Sequence, residues 1–174
     1  MTYRRLGRSG LNISPFVLGS MNFGAPTEQD EAEKIMARAV DAGINMIDTA
    51  DKYSMGESER MIGEFLAKNG KRNDVFIATK VYNPMGPGPN DKGLSRHHII
   101  EGCEESLRRL QTDHIDLYYL HRFDESVPID EILAALDHLR SHGKIRYAGC
   151  STFPPWRTAE MLKTAEHYGY PKFV

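Results

Sequence analysis

The chain is short of several residue types and patterns, and each shortage removes a class of protein. It has only two cysteines in 174 residues, Cys103 and Cys150, without Cys-x-x-Cys spacing. They read as small buried hydrophobes in a reducing compartment, not as a disulfide framework or a redox pair. Net charge is nearly absent as well: 22 Lys and Arg against 24 Asp and Glu leave −2, with both signs interspersed. That leaves no electrostatic footprint for nucleic acid or an anionic membrane. No apolar run approaches the ~18 residues of a spanning helix. The start, Met1-Thr2-Tyr3-Arg4-Arg5, lacks the apolar stretch of a secretory signal. Composition therefore describes a cytoplasmic globular protein, one domain over residues 1–174, with oligomerisation left open.

What is present is a strand followed by an amphipathic helix, repeated. Phe16-Val17-Leu18 leads to a helix that Thr27 would open, with Asp30 as its capping-box partner. Ala32, Ile35, Met36, Ala39 and Val40 fall on one helical face, and Gly43 stands where a helix ends. Ile44–Ile47 precedes a helix near Ser58–Lys68, stopped by Gly70. Val75–Thr79 precedes a long turn-rich loop, Asn83–Gly93, and a helix near Ser95–Leu110. Ile115–Leu120 pairs with a helix over Ile129–Ser141. Tyr147–Cys150 pairs with a helix after Pro154-Pro155, and Lys172-Phe173-Val174 reads as the start of a sixth strand. Before these units, Tyr3–Leu6 and Leu11–Ser14 flank a glycine-bearing turn, a β-hairpin over residues 1–14. Residues 15–174 then hold about five and a half β/α units.

This alternation implies βαβ crossovers and a parallel sheet covered by helices. An open doubly wound sheet could be complete at this length, whereas a (β/α)₈ TIM barrel takes about 250 residues. The open nucleotide-binding folds carry a Gly-rich turn after their first strand, and Leu18-Gly19-Ser20-Met21-Asn22-Phe23-Gly24 does not match it. Both architectures put working residues at the C-terminal strand ends.

Four such residues complement one another: Asp48, Tyr53, Lys80 and His121. Reducing a carbonyl requires a hydride on carbon and a proton on oxygen. A tyrosine can give the proton, although a phenol of pKa about 10 is a weak acid. A neighbouring ammonium stabilises phenolate, and a carboxylate keeps a buried ammonium charged. Asp48, Lys80 and Tyr53 form that relay, with His121 orienting the carbonyl oxygen. No side chain supplies hydride, so a nicotinamide cofactor is required. Phe23 and Tyr82 are candidate substrate walls beside Tyr53 and His121, and core packing serves equally for each. His138 and His142 stand four apart at a helix end without a third ligand, so no metal site is read.

The segment Asp48-Thr49-Ala50-Asp51-Lys52-Tyr53-Ser54-Met55-Gly56-Glu57-Ser58-Glu59 resembles the signature of the aldo-keto reductases. Ala78-Thr79-Lys80-Val81, Ile115-Asp116-Leu117-Tyr118-Tyr119-Leu120-His121 and Gly149-Cys150-Ser151-Thr152-Phe153 agree with it. The resemblance spans the whole chain and implies a (β/α)₈ barrel plugged by the hairpin. It also implies NADPH-dependent, reversible reduction of aldehydes or ketones. Asp48, Tyr53, Lys80 and His121 fall on the family's catalytic tetrad. Ser151 and Thr152 fall where the family's Ser-Asn holds the nicotinamide carboxamide, with Thr152 departing from the asparagine. Asp48 and Met21 are further cofactor-side candidates.

Gly93 to Gly102 further resembles the branch containing potassium-channel β-subunits and bacterial sugar or aldehyde reductases. Channel subunits replace the tetrad histidine with asparagine, and here it is His121, which favours the reductase. Family members run to roughly twice this many units, and their second half holds most of the cofactor. The chain is accordingly expected to be an N-terminal portion of a longer reductase. The alternatives are a non-catalytic nucleotide-sensing or channel-associated subunit, and an inactive truncated fragment.

Overall fold

Two clusters of buried apolar residues organise the molecule, one on each side of a parallel sheet. The computed structural model describes residues 1–174. A two-stranded antiparallel hairpin, β1 (Arg4–Arg5) and β2 (Asn12–Ile13), comes first. The remaining strands are β3 (Leu18–Gly19), β4 (Met46–Asp48), β5 (Phe76–Val81), β6 (Ile115–Leu120) and β7 (Ile145–Cys150). They form one five-stranded parallel sheet in simple sequential order. Five helices alternate with them: α1 (Gln29–Asp41), α2 (Glu57–Asn69), α3 (Arg96–Leu110), α4 (Ile129–Ser141) and α5 (Pro155–Tyr168). This is an α/β arrangement of five successive units of an incomplete (β/α)₈ barrel, with neighbouring strands always consecutive in sequence. Phe173 bridges to Ala148 in parallel and the Val174 amide donates to the Ala148 carbonyl, beginning a sixth strand. No helix is long and apolar enough to cross a membrane.

Strand alternation sorts the side chains between the two faces. Ile47, Ile77, Tyr118, Leu120 and Ala148 point toward the helices and join a core of 28 buried residues. From α4, Ile132, Leu133, Leu136 and Leu139 enter this core, each fully buried side chain contributing about 1.5–3 kcal/mol. Met46, Ala78 and Leu117 point the other way, packed against Leu6 and Ile13 of the hairpin and by Phe76, Tyr119, Tyr147 and Val174. Asn45 pins the hairpin at the foot of β4. Its side chain accepts from the Ser14 amide at 2.8 Å and donates to the Asn12 carbonyl at 3.1 Å.

Several sequence expectations shift. The first strand is Leu18–Gly19 only, and Phe16 and Val17 are exposed, because this strand has one neighbour and nothing beyond it. Thr27 does not cap α1. Its backbone is occupied in closing the preceding loop, donating to Asn22 and accepting from Gly24, so the helix starts after Glu28, without a side-chain cap. Asp48 and Lys80 lie inside β4 and β5 instead of following them, since pairing continues through Asp48↔Ala78 and Val81↔Leu120. The fifth strand begins at Ile145. Ser95 caps α3 by accepting from the His98 amide at 3.2 Å. Cys103 is fully buried, its thiol pushed up to about 12 by burial, while Cys150 is only half-buried.

Helices α2 and α3 approach each other closely at Gly63 of α2. A Cβ there would stand 2.5 Å from the Arg109 carbonyl oxygen and 2.6 Å from the Leu110 carbonyl carbon, both backbone atoms of α3. Gly63→Ala should therefore destabilise the protein by about 1–3 kcal/mol, outweighing the ~1 kcal/mol of helix propensity alanine adds. A urea midpoint unchanged or raised by the substitution would show that the helices separate freely at this point.

Candidate active site

Parallel pairing brings three strand ends together and carries the catalytic candidates with them. Asp48 is the last residue of β4 and Lys80 the last but one of β5, both on the sheet's inner face. The ladder then continues past β4: the Thr49 amide donates to the Ala78 carbonyl at 2.8 Å and the Asp51 amide to the Lys80 carbonyl at 3.2 Å. This holds the loop toward a 3₁₀ turn at Tyr53–Gly56. Ser54 and Met55 take left-handed backbone conformations there, with φ of 48° and 56°, which non-glycine residues seldom adopt. His121 follows β6, its amide donating to the Val81 carbonyl at 2.9 Å.

The four side chains meet. Lys80, 6% exposed, places Nζ 2.6 Å from Asp48 Oδ2, 2.6 Å from the Thr49 carbonyl oxygen and 3.3 Å from the Tyr53 hydroxyl. The ammonium's three protons thus have three acceptors. The rings of Tyr53 and His121 lie 6.0 Å apart, edge to face. The imidazole pKa is pushed down to about 4, first by burial and then by the Lys80 and Arg122 charges. It is neutral at physiological pH. The Asn83 side-chain amide lies 3.2 Å from His121 Nδ1. With that nitrogen accepting, the ring proton sits on Nε2, free to donate.

A buried network supports the loop from behind. The Ser58 hydroxyl lies 2.9 Å from Thr49 Oγ1 and 2.8 Å from Ser20 Oγ, and Ser20 Oγ donates to the Asp48 carbonyl at 2.9 Å. Glu59, fully buried, accepts from Thr79 and from Arg109 Nε, the latter at 2.7 Å. Alternation makes Thr79 and Lys80 point to opposite faces, so β5 is tied on both sides.

The remaining candidates are more scattered. Ser151 and Thr152 follow β7, their hydroxyls 3.3 Å apart and without another partner, with Thr152 at φ 53°. That donor set suits a carboxamide. Met21 is 64% exposed on the loop after β3. Phe23 does not line the mouth: it is 3% exposed and packs in the helix-side core, where its bridge to Thr27 holds it. Tyr82 packs against the same core and lines a separate cleft with Pro84 and Lys92. Sequence reasoning missed Asn83, the partner of His121, and Tyr119. Tyr119 shares the inner face with Lys80, whose Nζ lies 5.9 Å from its ring, and burial raises its phenol. Period-two counting back from His121 would have found it.

The sequence pattern of the aldo/keto reductase family matches residues 15–172. The chain belongs to this family. Relatives include the "Uncharacterized oxidoreductase YrpG" of Bacillus subtilis, 43% identical over 95% of this chain and 54% of its own length. The "Putative aryl-alcohol dehydrogenase AAD16" of Saccharomyces cerevisiae is 40% identical over 98% of this chain and 57% of its own. The "Probable voltage-gated potassium channel subunit beta" of Arabidopsis thaliana is 39% identical over 95% of this chain and 51% of its own. The chain spans about half the length of the curated relatives it matches. As an aldo/keto reductase family member it shares its kinship with oxidoreductases, and its parallel strands follow the arrangement of a barrel.

The His121 environment makes a testable statement about protons. Its folded pKa lies below the unfolded value near 6.5, so the unfolded chain binds the extra proton first as pH falls. This group's contribution therefore lowers stability between about pH 6.5 and 4, and stability rises with pH across that window. The His121 ring resonances should stay fixed from pH 8 to 5.5 and move only near pH 4. Movement centred above pH 6 would contradict the buried, cation-flanked setting.

Proposed function

We propose that this chain carries the proton-donating half of an NADPH-dependent reductase of aldehydes and ketones, working reversibly. The observation that carries the reading is the Lys80 ammonium, bound to the Asp48 carboxylate and within 3.3 Å of the Tyr53 hydroxyl. Tyr53 is the general acid. A substrate carbonyl oxygen accepts hydrogen bonds from the Tyr53 hydroxyl and from Nε2–H of His121, which polarises the carbon. As the carbon gains a hydride, the oxygen takes the Tyr53 proton and the π bond becomes one C–H and one O–H bond. Lys80 stabilises the phenolate left behind, and the half-buried Asp48 balances the buried Lys80. NADPH supplies the hydride when bound. Ser151 and Thr152 would hold its carboxamide, and Asp48 and Met21 would flank it.

The similarity to proteins described as potassium-channel β-subunits favours a second reading, a nucleotide-sensing subunit without turnover. The intact His121 beside Tyr53 supports the enzyme instead.

Tyr53→Phe removes the acid and keeps the ring. In a preparation whose cofactor site is complete, turnover of a reactive aromatic aldehyde should fall about 10²–10⁴-fold. NADPH affinity should stay the same. Equal turnover by both proteins, followed through NADPH absorbance, would remove Tyr53 from the chemistry. Absence of turnover in both, with NADPH still bound, would favour the sensing subunit.

A further inference from the structure

On the helix side of the sheet, behind the catalytic loop, lies a cavity of about 510 Å³ between that loop, α3 and the turn-rich loop after β5. Asp51 lines it and is 1% exposed, yet neither carboxyl oxygen has a hydrogen-bond partner. The Lys52 amide is near enough to favour the charged form without bonding either oxygen. His98, 5% exposed, also lines the cavity and leaves Nε2 unpartnered. Buried polar atoms without partners are costly, and two in one cavity point to a missing ligand.

The chemistry of that ligand follows from the walls. Asp51, Asp91, Glu101 and Glu105 face a single lining cation, Arg109, which Glu59 already holds. Glu105 is paired with Arg108, and Asp91 accepts from the Gly88 amide. Asp51 at depth and the exposed Glu101 engage no partner, leaving two uncommitted acids. No three His, Cys, Asp or Glu side chains stand close enough to hold a metal ion. Met55 and Met85 give the cavity apolar wall instead. We propose that this cavity binds a short aliphatic diamine, one ammonium on Asp51 and His98 Nε2, the methylenes against the methionines, and the second ammonium at Glu101. Burial lowers the His98 pKa, so the imidazole is neutral and can accept. The site is back to back with the tetrad, since the Asp51 amide bonds the Lys80 carbonyl. It stands independently of the reductase reading.

Protonation should be linked to binding. Asp51 is pushed up to about 7, by burial first and by Glu59 of α2 second, against the charges of Arg109 and Lys52. His97, His98, Glu101, Glu105 and Asp91 complete the titratable surroundings. A bound ammonium favours the carboxylate, so binding strengthens as pH rises through 7 and releases a proton.

Calorimetric titration of the intact chain with 1,4-diaminobutane tests this, with 1,4-butanediol as the neutral control. One saturable site should appear, tighter at pH 8 than at pH 6, with none for the diol. Asp51→Asn should weaken binding at least tenfold, and the exposed Glu101→Gln about threefold, while both variants keep the wild-type circular dichroism. Asp51→Asn removes an unpaired buried acid and should fold at least as well as the parent. Lack of saturation at millimolar diamine would overturn the proposal and make the cavity a water site only. Equal binding by wild type and a folded Asp51→Asn would overturn it too, as would binding of the diol.

Discussion

The Lys80 ammonium, buried and satisfied by three oxygens, is the interaction on which the rest of the site depends. An ammonium removed from water costs several kcal/mol unless its partners replace the lost hydration. Asp48, the Thr49 carbonyl and the Tyr53 hydroxyl do so, and they come from β4 and the loop that follows it. The register of β4 against β5 is therefore fixed chemically as well as by packing. A slip of one residue would turn Lys80 into the helix-side core and leave Asp48 without its partner.

The opposite face of β5 has an equivalent constraint. Thr79 and Arg109 satisfy the buried Glu59, so α2, α3 and β5 are joined at one carboxylate behind the tetrad. Gly63 allows α3 near enough for Arg109 to reach it. Lys80 thus sits on a strand clamped from both sides. The loop bearing Tyr53 stays in an unfavourable backbone conformation because its neighbours fix it at both ends.

Much of this was legible in the sequence. Apolar period and stop signals gave α1 through α4 to within about two residues, and for α5 only where it starts, because a helix that buries a single stripe shows it in its spacing. The tetrad was visible because its residue types complement one another at successive strand ends. Strand limits were less legible: the run Phe16-Val17-Leu18 is apolar enough for a strand, but Phe16 and Val17 lack a partner on either side. Thr27 has the chemistry of a cap and is diverted by loop closure. For Phe23 and Tyr82 the sequence allows a substrate wall or core packing equally, and both rings pack on the helix-side core. Asn83 meets His121 through a tertiary contact, which sequence spacing does not encode.

Asn45 and Asp48 occupy one short stretch of chain, three residues apart, so hairpin and tetrad are held about 10 Å from each other by a strand's rise. Leu6 and Ile13 fill the layer between them together with Met46, Ala78 and Leu117. The hairpin end of the inner face is consequently filled with side chains. Lys80 is therefore approached from the side away from the hairpin, and a change in how the hairpin seats would be felt at Asp48 through a single turnless stretch of strand.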